Sequence, residues 1–279
     1  MTQVPTHTLN DGQPLPAIGL GTYRLRGADG VRAVASGIDA GYRLLDTAVA
    51  YENEAEVGEG IRASGIDRDE LVVTTKIRGR DHSADGAVRS VEGSLERLGL
   101  DRIDLVLIHW PNPSRDLYVD TWRGLVYLRE RGLVGSIGVS NFTPAHLQRI
   151  IDETGVTPAV NQVELHPRFA QADLRAEHER LGIRTQSWSP LGARKPPFDE
   201  PAIAEAARAY DVTPAQVVLR WHVQLGAVPI PKSATAQRQA SNLDVFGFEL
   251  ADAEMAAISA LDDPSGRLWG GDPETHEEM

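Results

Sequence analysis

The 279-residue chain contains no cysteine, which excludes disulfides, thiolate zinc sites, iron–sulfur clusters and a cysteine nucleophile together. Positive charge is scarce as well. Twenty-eight basic residues face 40 acidic ones, a formal charge of −12, the wrong sign for a surface that must offset nucleic-acid phosphates. No apolar run approaches the roughly 18 residues of a membrane span, and residues 1–9 lack the basic stretch and apolar core of a secretory signal. The expectation is a cytoplasmic protein that binds neither nucleic acid nor membrane. There is no Walker-type phosphate loop, no His-Glu-x-x-His zinc motif and no Gly-x-Ser-x-Gly elbow. The eight histidines are scattered, so no metal is expected.

Two glycine patterns match a dinucleotide fingerprint in letters only. Gly19-Leu20-Gly21 has Arg24 where the third small residue belongs, and Gly58-Glu59-Gly60 with Ala63 lies inside a helical pattern with no strand before it. A Rossmann fold is therefore not expected.

What is present is ordinary globular composition, 41% apolar and 24% charged, arranged in a regular alternation. β-Rich runs at 18–22, 44–47, 71–76, 105–109, 136–140, 160–163, 184–188 and 228–231 alternate with helical periodicity at 30–40, 53–64, 84–98, 117–131, 144–153, 172–181 and 201–224. The last helical stretch should break near 211–214. Eight such strands favour an α/β chain folded as one closed (β/α)8 TIM barrel, with 1–279 as a single domain. Residues 6–9 and 13–17 flank Asn10-Asp11-Gly12, a turn that accepts positive φ, and predict an N-terminal β-hairpin closing the barrel bottom. The acidic end, 272–279, has no apolar anchor after Trp269 and is expected to fray. Nothing in the chain demands a partner subunit, so a monomer is expected.

In such a barrel, functional side chains sit at the C-terminal ends of strands. The second strand ends at Asp46 with Tyr51 on its loop, the third at Lys76 and the fourth at His109. Taken singly, each has a bland reading: a helix cap, a packing ring, a charge emerging into solvent, a satisfied core histidine. At consecutive strand ends the four converge, and together they suit proton delivery to a carbonyl. A tyrosine near its reference pKa of about 10 is a sluggish acid. A lysine about 4 Å away at an effective dielectric near 20 contributes roughly 4 kcal/mol, enough to bring the phenol towards neutrality. Asp46 would keep that lysine charged, and His109 would donate to the carbonyl oxygen.

The segment GYRLLDTAVAYENE (41–54), the block IDLVLIHWP (103–111) and the block IPKS (230–233) resemble the signatures of the aldo-keto reductase superfamily. So do GVSN (138–141), NQVELHP (161–167) and SWSPLG (187–192). Overall length and short tail look most like bacterial 2,5-diketo-gluconate reductases. The resemblance implies that Asp46, Tyr51, Lys76 and His109 are catalytic and that NADPH binds without a Rossmann fold. It implies that Ser140, Asn141 and Gln162 hold the nicotinamide amide, that Trp188 stacks on the ring, and that Ser189, Leu191 and Gly192, with Gly21 and Thr22, meet the rest of the cofactor. Lys232, Ser233 and Arg238 resemble a clamp for the adenosine 2′-phosphate, with Asn242 near adenine. Two cations and a hydroxyl close together in an acidic chain also read directly as a small anion site, with a solvated helix face as the rival.

Substrate contacts are expected from Tyr23, Trp110 and Trp269 as apolar walls. Arg78 stands where many relatives carry Trp, and is either a solvated loop arginine or a cation recruiting a carboxylate. The partner is then a small-molecule carbonyl compound. Two rivals carry different tests: an NADPH-holding sensor barrel with slow turnover, and a glycosidase using Asp46 and Glu164 as its carboxylates.

Overall fold

The computed structural model describes residues 4–278. The chain opens with β1 (Thr6–Thr8) and β2 (Pro14–Pro16), then runs β3 (Leu20–Gly21), α1 (Gly27–Ala40), β4 (Leu44–Asp46), α2 (Glu54–Ser64), β5 (Val72–Ile77), α3 (Ala84–Leu98), β6 (Ile103–Ile108) and α4 (Tyr118–Glu130). It continues through β7 (Val134–Ser140), α5 (Pro144–Thr154), β8 (Val160–Glu164), α6 (Ala172–Leu181), β9 (Arg184–Trp188), α7 (Pro201–Ala209), α8 (Pro214–Gln224), β10 (Val228–Pro229), α9 (Ala236–Leu243) and α10 (Asp252–Ser259). Strands β3 to β10 form one eight-stranded parallel sheet in sequential order. Its two edges meet, because the Gly19 and Gly21 amides donate to the Pro229 and Pro231 carbonyls at 3.0 and 3.1 Å. The (β/α)8 barrel is thereby closed.

The expected helix break falls between α7 and α8, where Thr213 caps α8 by accepting from the Gln216 amide. Helices α9 and α10 were not expected. Each spans eight residues, barely two turns, shorter than the roughly 11–18 residues over which a helical period is read.

Strand alternation sets what faces the barrel interior. Leu44, Leu105, Leu107, Val160, Val228 and Ile230 pack inside in one cluster, while Leu45, Val73, Val106 and Ile137 pack outward against the helices. Strands β1 and β2 pair antiparallel, and Leu9 and Leu15 enter the inner cluster. Asn10 Nδ2 donates to the Pro158 carbonyl at 2.9 Å, just ahead of β8. The hairpin therefore closes the bottom, as its turn residues predict.

Both misleading glycine patterns are packing features. A Cβ on Gly58 would lie 2.0 Å from the Leu98 oxygen, and one on Gly60 would lie 2.6 Å from Val34 Cβ, so helix α2 needs both glycines to seat between α1 and α3. A Cβ on Gly19 would strike Ile230 and Leu44 inside the barrel.

The C-terminal segment corrects the expectation of a frayed end. Leu268 N donates to Glu164 Oε1 at 2.7 Å, Ser114 N to Glu277 Oε1 at 2.8 Å, and Asn112 Nδ2 to the Glu278 carbonyl at 2.6 Å. His276 packs on Trp110 with ring centroids 4.1 Å apart. The segment is a strap across the barrel top, held by polar contacts and ring packing, not by the aliphatic anchor whose absence suggested fraying.

Candidate active site

Asp46, Lys76 and His109 continue the inward-facing rows of their strands beyond the leucine layer. Asp46 is two residues past Leu44, and His109 two past Leu107. The ladder places Asp46 opposite Thr74 and Lys76 opposite Leu107. The Lys76 ammonium, fully buried, donates to Asp46 Oδ1 at 2.6 Å and to the Thr47 carbonyl at 2.8 Å. Gln162 Nε2 donates to the other Asp46 oxygen at 2.7 Å. Burial lowers the Lys76 pKa, and the Asp46 carboxylate opposes that fall.

Tyr51 sits on a single 3-10 turn after β4, with the Lys76 ammonium 5.0 Å from its ring centroid and the His109 ring 5.9 Å away, edge to face. A buried latch fixes this turn: Asn53 Nδ2 donates to the Thr22 and Leu25 carbonyls at 2.7 and 3.0 Å, and its oxygen accepts from Thr47 at 3.0 Å. The same latch fixes Tyr23, half exposed, whose ring lies 5.1 Å from that of Tyr51.

The electrostatics correct one expectation. Burial pushes the Tyr51 pKa well above its ordinary value, and Asp46, Glu278 and Tyr23 push the same way. The expected acidification took the Lys76 charge at full strength, with Asp46 only keeping it charged. In the fold that charge is largely balanced by Asp46 at 2.6 Å, so it does not offset the burial of the resting phenol. The phenol is held as a protonated acid.

The remaining expected residues fall in three groups. Around the mouth, Ser140 Oγ donates to the Gln162 carbonyl, Asn141 Nδ2 to the His109 carbonyl, and Trp188 Nε1 to Asn141 Oδ1, at 2.7, 3.0 and 2.8 Å. The Trp188 ring stacks on Trp269 with centroids 5.4 Å apart. Further out, Ser189 and Gly192 take positive φ in a turn closed by the Gly192 amide on the Ser189 carbonyl at 2.9 Å, with Leu191 between them. At the barrel seam, Gly21 bridges Lys232, and Thr22 Oγ1 donates to the Asp46 carbonyl at 3.0 Å. Ser233 and Asn242 are buried beside exposed Lys232 and Arg238.

Sequence reasoning missed two parts of this region. An open cavity of about 480 Å³ beside Lys232 is also lined by Arg24, Arg26 and Arg32, with Asp29 the one acid on its wall. The only sequence trace was Arg24, noted as a misfit. The second part is Glu278, whose Oε1 lies 2.7 Å from His109 Nδ1, an ion-pair contact outside hydrogen-bond alignment, and whose Oε2 accepts from the Gly79 amide at 3.2 Å. Burial alone would raise the Glu278 pKa, but His109, the Gly79 amide and Arg78 outweigh it and hold it below the ordinary value. Arg78 is half-buried, with its Nε buried and unpartnered, so it is not the solvated loop residue of one expectation.

Among the described residues no group of three or more His, Asp or Glu side chains is placed to hold a metal, and no helix is long and apolar enough to cross a membrane. The glycosidase rival fails on geometry. Asp46 is locked to Lys76, and Glu164 is spent on His166 at 3.0 Å and on the Leu268 amide. The donor set does fit a dinucleotide phosphate. A concave wall of cations on an acidic chain, next to a small-residue turn, supplies the required charge.

A model of the Aldo/keto reductase family matches residues 17–195 and 199–263. The chain is 63% identical over 279 residues, covering all of both chains, to 2,5-diketo-D-gluconic acid reductase B of Corynebacterium sp. (strain SHS752001). It is 46% identical over 275 residues, 98% of each chain, to methylglyoxal reductase DkgA of Yersinia pestis. Among solved structures, the Bombyx mori aldo-keto reductase AKR2E4 in complex with NADP superimposes with a TM-score of 0.91 at 36% identity, covering 100% of this chain and 99% of that one. Fold, matched residues and full-length similarity agree: the chain belongs to the aldo/keto reductase family.

Proposed function

We propose that this chain reduces aldehyde or ketone groups of small molecules to alcohols with NADPH, and that Tyr51 delivers the proton. The observation that carries the reading is the convergence, inside the barrel mouth, of a buried Lys76–Asp46 pair at 2.6 Å with Tyr51 and His109. When bound, the nicotinamide supplies the hydride. Ser140, Asn141 and Gln162 would hold its amide, Trp188 would face its ring, and Gly21, Thr22, Ser189, Leu191 and Gly192 would line its path. His109 orients the carbonyl oxygen towards the Tyr51 hydroxyl. A phenol held protonated by burial gives up its proton only to a strong base, and the alkoxide forming on the substrate is one. Lys76, kept charged by Asp46, then faces the phenolate as it develops. Tyr23, Trp110 and Trp269 form the aromatic walls over the substrate. The protein is read as a cytoplasmic monomer.

The test is NADPH oxidation by the purified chain against dicarbonyls, keto-sugars, aromatic aldehydes and keto acids. Steady turnover with at least one class is expected; NADPH binding without turnover of any would support the sensor reading. Given the names of the two relatives above, dicarbonyls come first.

Lys232, Ser233 and Arg238 would clamp the 2′-phosphate, with Asn242 at the adenine. A lost charge-assisted hydrogen bond costs about 1.5–3 kcal/mol, so Lys232→Ala and Arg238→Ala should each weaken NADPH binding roughly tenfold or more. NADH binding should stay near wild type. A fluorescence titration of both nucleotides decides it, and equal losses for the two would remove the clamp.

A further inference from the structure

We infer that Glu278 is a positioning residue for the carbonyl chemistry, acting through His109; this rests on the reading that His109 meets the substrate oxygen. Its docking is built into the fold. Asn112 is fully buried and adopts a φ of 48°, and its side chain grips the Glu278 backbone at both ends, Nδ2 to the carbonyl at 2.6 Å and Oδ1 from the amide at 3.3 Å. Residue 79 is glycine where a Cβ would lie 1.9 Å from the Glu278 carbonyl oxygen. The loop after β5 is thus shaped to receive this residue, and its amide is aimed at the carboxylate.

The carboxylate meets His109 at Nδ1, 2.7 Å away, and among the described residues His109 Nε2 makes no hydrogen bond to protein. A carboxylate at that distance favours a proton on Nδ1 through its charge, short of an aligned hydrogen bond, and leaves Nε2 for the reacting group. It also balances the charge of a doubly protonated ring, whose Nε2–H a carbonyl oxygen can accept. The other charged or titratable groups close to this pair are Tyr51, Lys76, Arg78, His82 and Glu277. None of these gives His109 Nδ1 a second carboxylate at ion-pair distance.

The experiment compares the full-length chain with Glu278→Gln, which keeps the backbone grip and removes the charge, and with Glu278→Asp, which restores it. Expected in Glu278→Gln are a kcat lowered about tenfold, an NADPH Kd within about twofold of wild type, and ring 15N resonances of His109 shifted from the wild-type positions, with Asp recovering part of each loss. Unchanged ring resonances overturn the inference. So does a lowered KM at unchanged kcat, which would make the carboxylate a mere competitor for the substrate position. The ring spectrum reads the Glu278–His109 contact without turnover, so loss of the contact and absence of reductase activity are separate results.

Discussion

Tyr51→Phe is expected to bind NADPH with wild-type affinity, to melt at the wild-type temperature, and to lose roughly 10²–10⁴-fold in turnover, the usual contribution of a positioned acid. The stability half follows from the contacts. Tyr51 is tied to the fold by its backbone, whose carbonyl accepts from Arg26 at 2.9 Å, and by ring packing against Tyr23, Lys76 and His109. Phenylalanine keeps all of these. The activity half follows from the proposed role of the hydroxyl as proton source for the forming alkoxide. Near-native turnover, measured under saturating NADPH and substrate, would transfer the role of acid to another group, and His109 would be next to test.

Lys76→Met should produce a loss of a different kind. Removing one partner of a buried ion pair leaves a buried charge without compensation, at a cost of about 3–5 kcal/mol. For a chain of this size that lowers the melting temperature by roughly 10 °C. Asp46 would retain Gln162 at 2.7 Å but lose the ammonium at 2.6 Å. Adding Asp46→Asn neutralises the stranded carboxylate while keeping an acceptor for Gln162, so the double variant should regain most of the stability. It should remain as inactive as Lys76→Met alone, because nothing then faces the developing phenolate. Calorimetry and NADPH oxidation on the single and double variants separate the two effects. If activity returns with stability, Lys76 serves the fold and not the chemistry.

The strands were legible because burial on both faces writes them as short apolar runs, and all eight fall where those runs lie. The inward rows were legible for the same reason: Leu44 to Asp46 and Leu107 to His109 differ by one period, so polar residues at strand ends announced the barrel mouth. Glu278 was invisible. Its place depends on Asn112 and Gly79, distant in sequence, and an acidic tail reads as solvated until those partners are known. The Tyr51 electrostatics were misjudged because the burial of the phenol and the 2.6 Å spacing of the Lys76–Asp46 pair, neither of which a sequence shows, set how much of the lysine charge reaches the resting phenol. The cluster of Arg24, Arg26 and Arg32 was hidden because these residues meet Lys232 only where the first strand of the barrel touches the last.

Asp46 and Lys76 ride on paired strands, and His109 immediately follows β6, where slippage by one residue would turn every inward side chain towards the helices. Tyr23, Trp110 and Trp269 ride on connecting segments that answer to no such ladder. On the roles proposed above, the buried charged pair and the substrate walls are then carried by different parts of the scaffold. Exchange between relatives of the segments that carry Trp110 and Trp269 should redirect which compounds are consumed while leaving the Asp46–Lys76 pair intact. Exchange of the Tyr23 segment would also disturb the Asn53 latch that holds the Tyr51 turn, and the strap contacts at Gly79 and Asn112 mark a further limit.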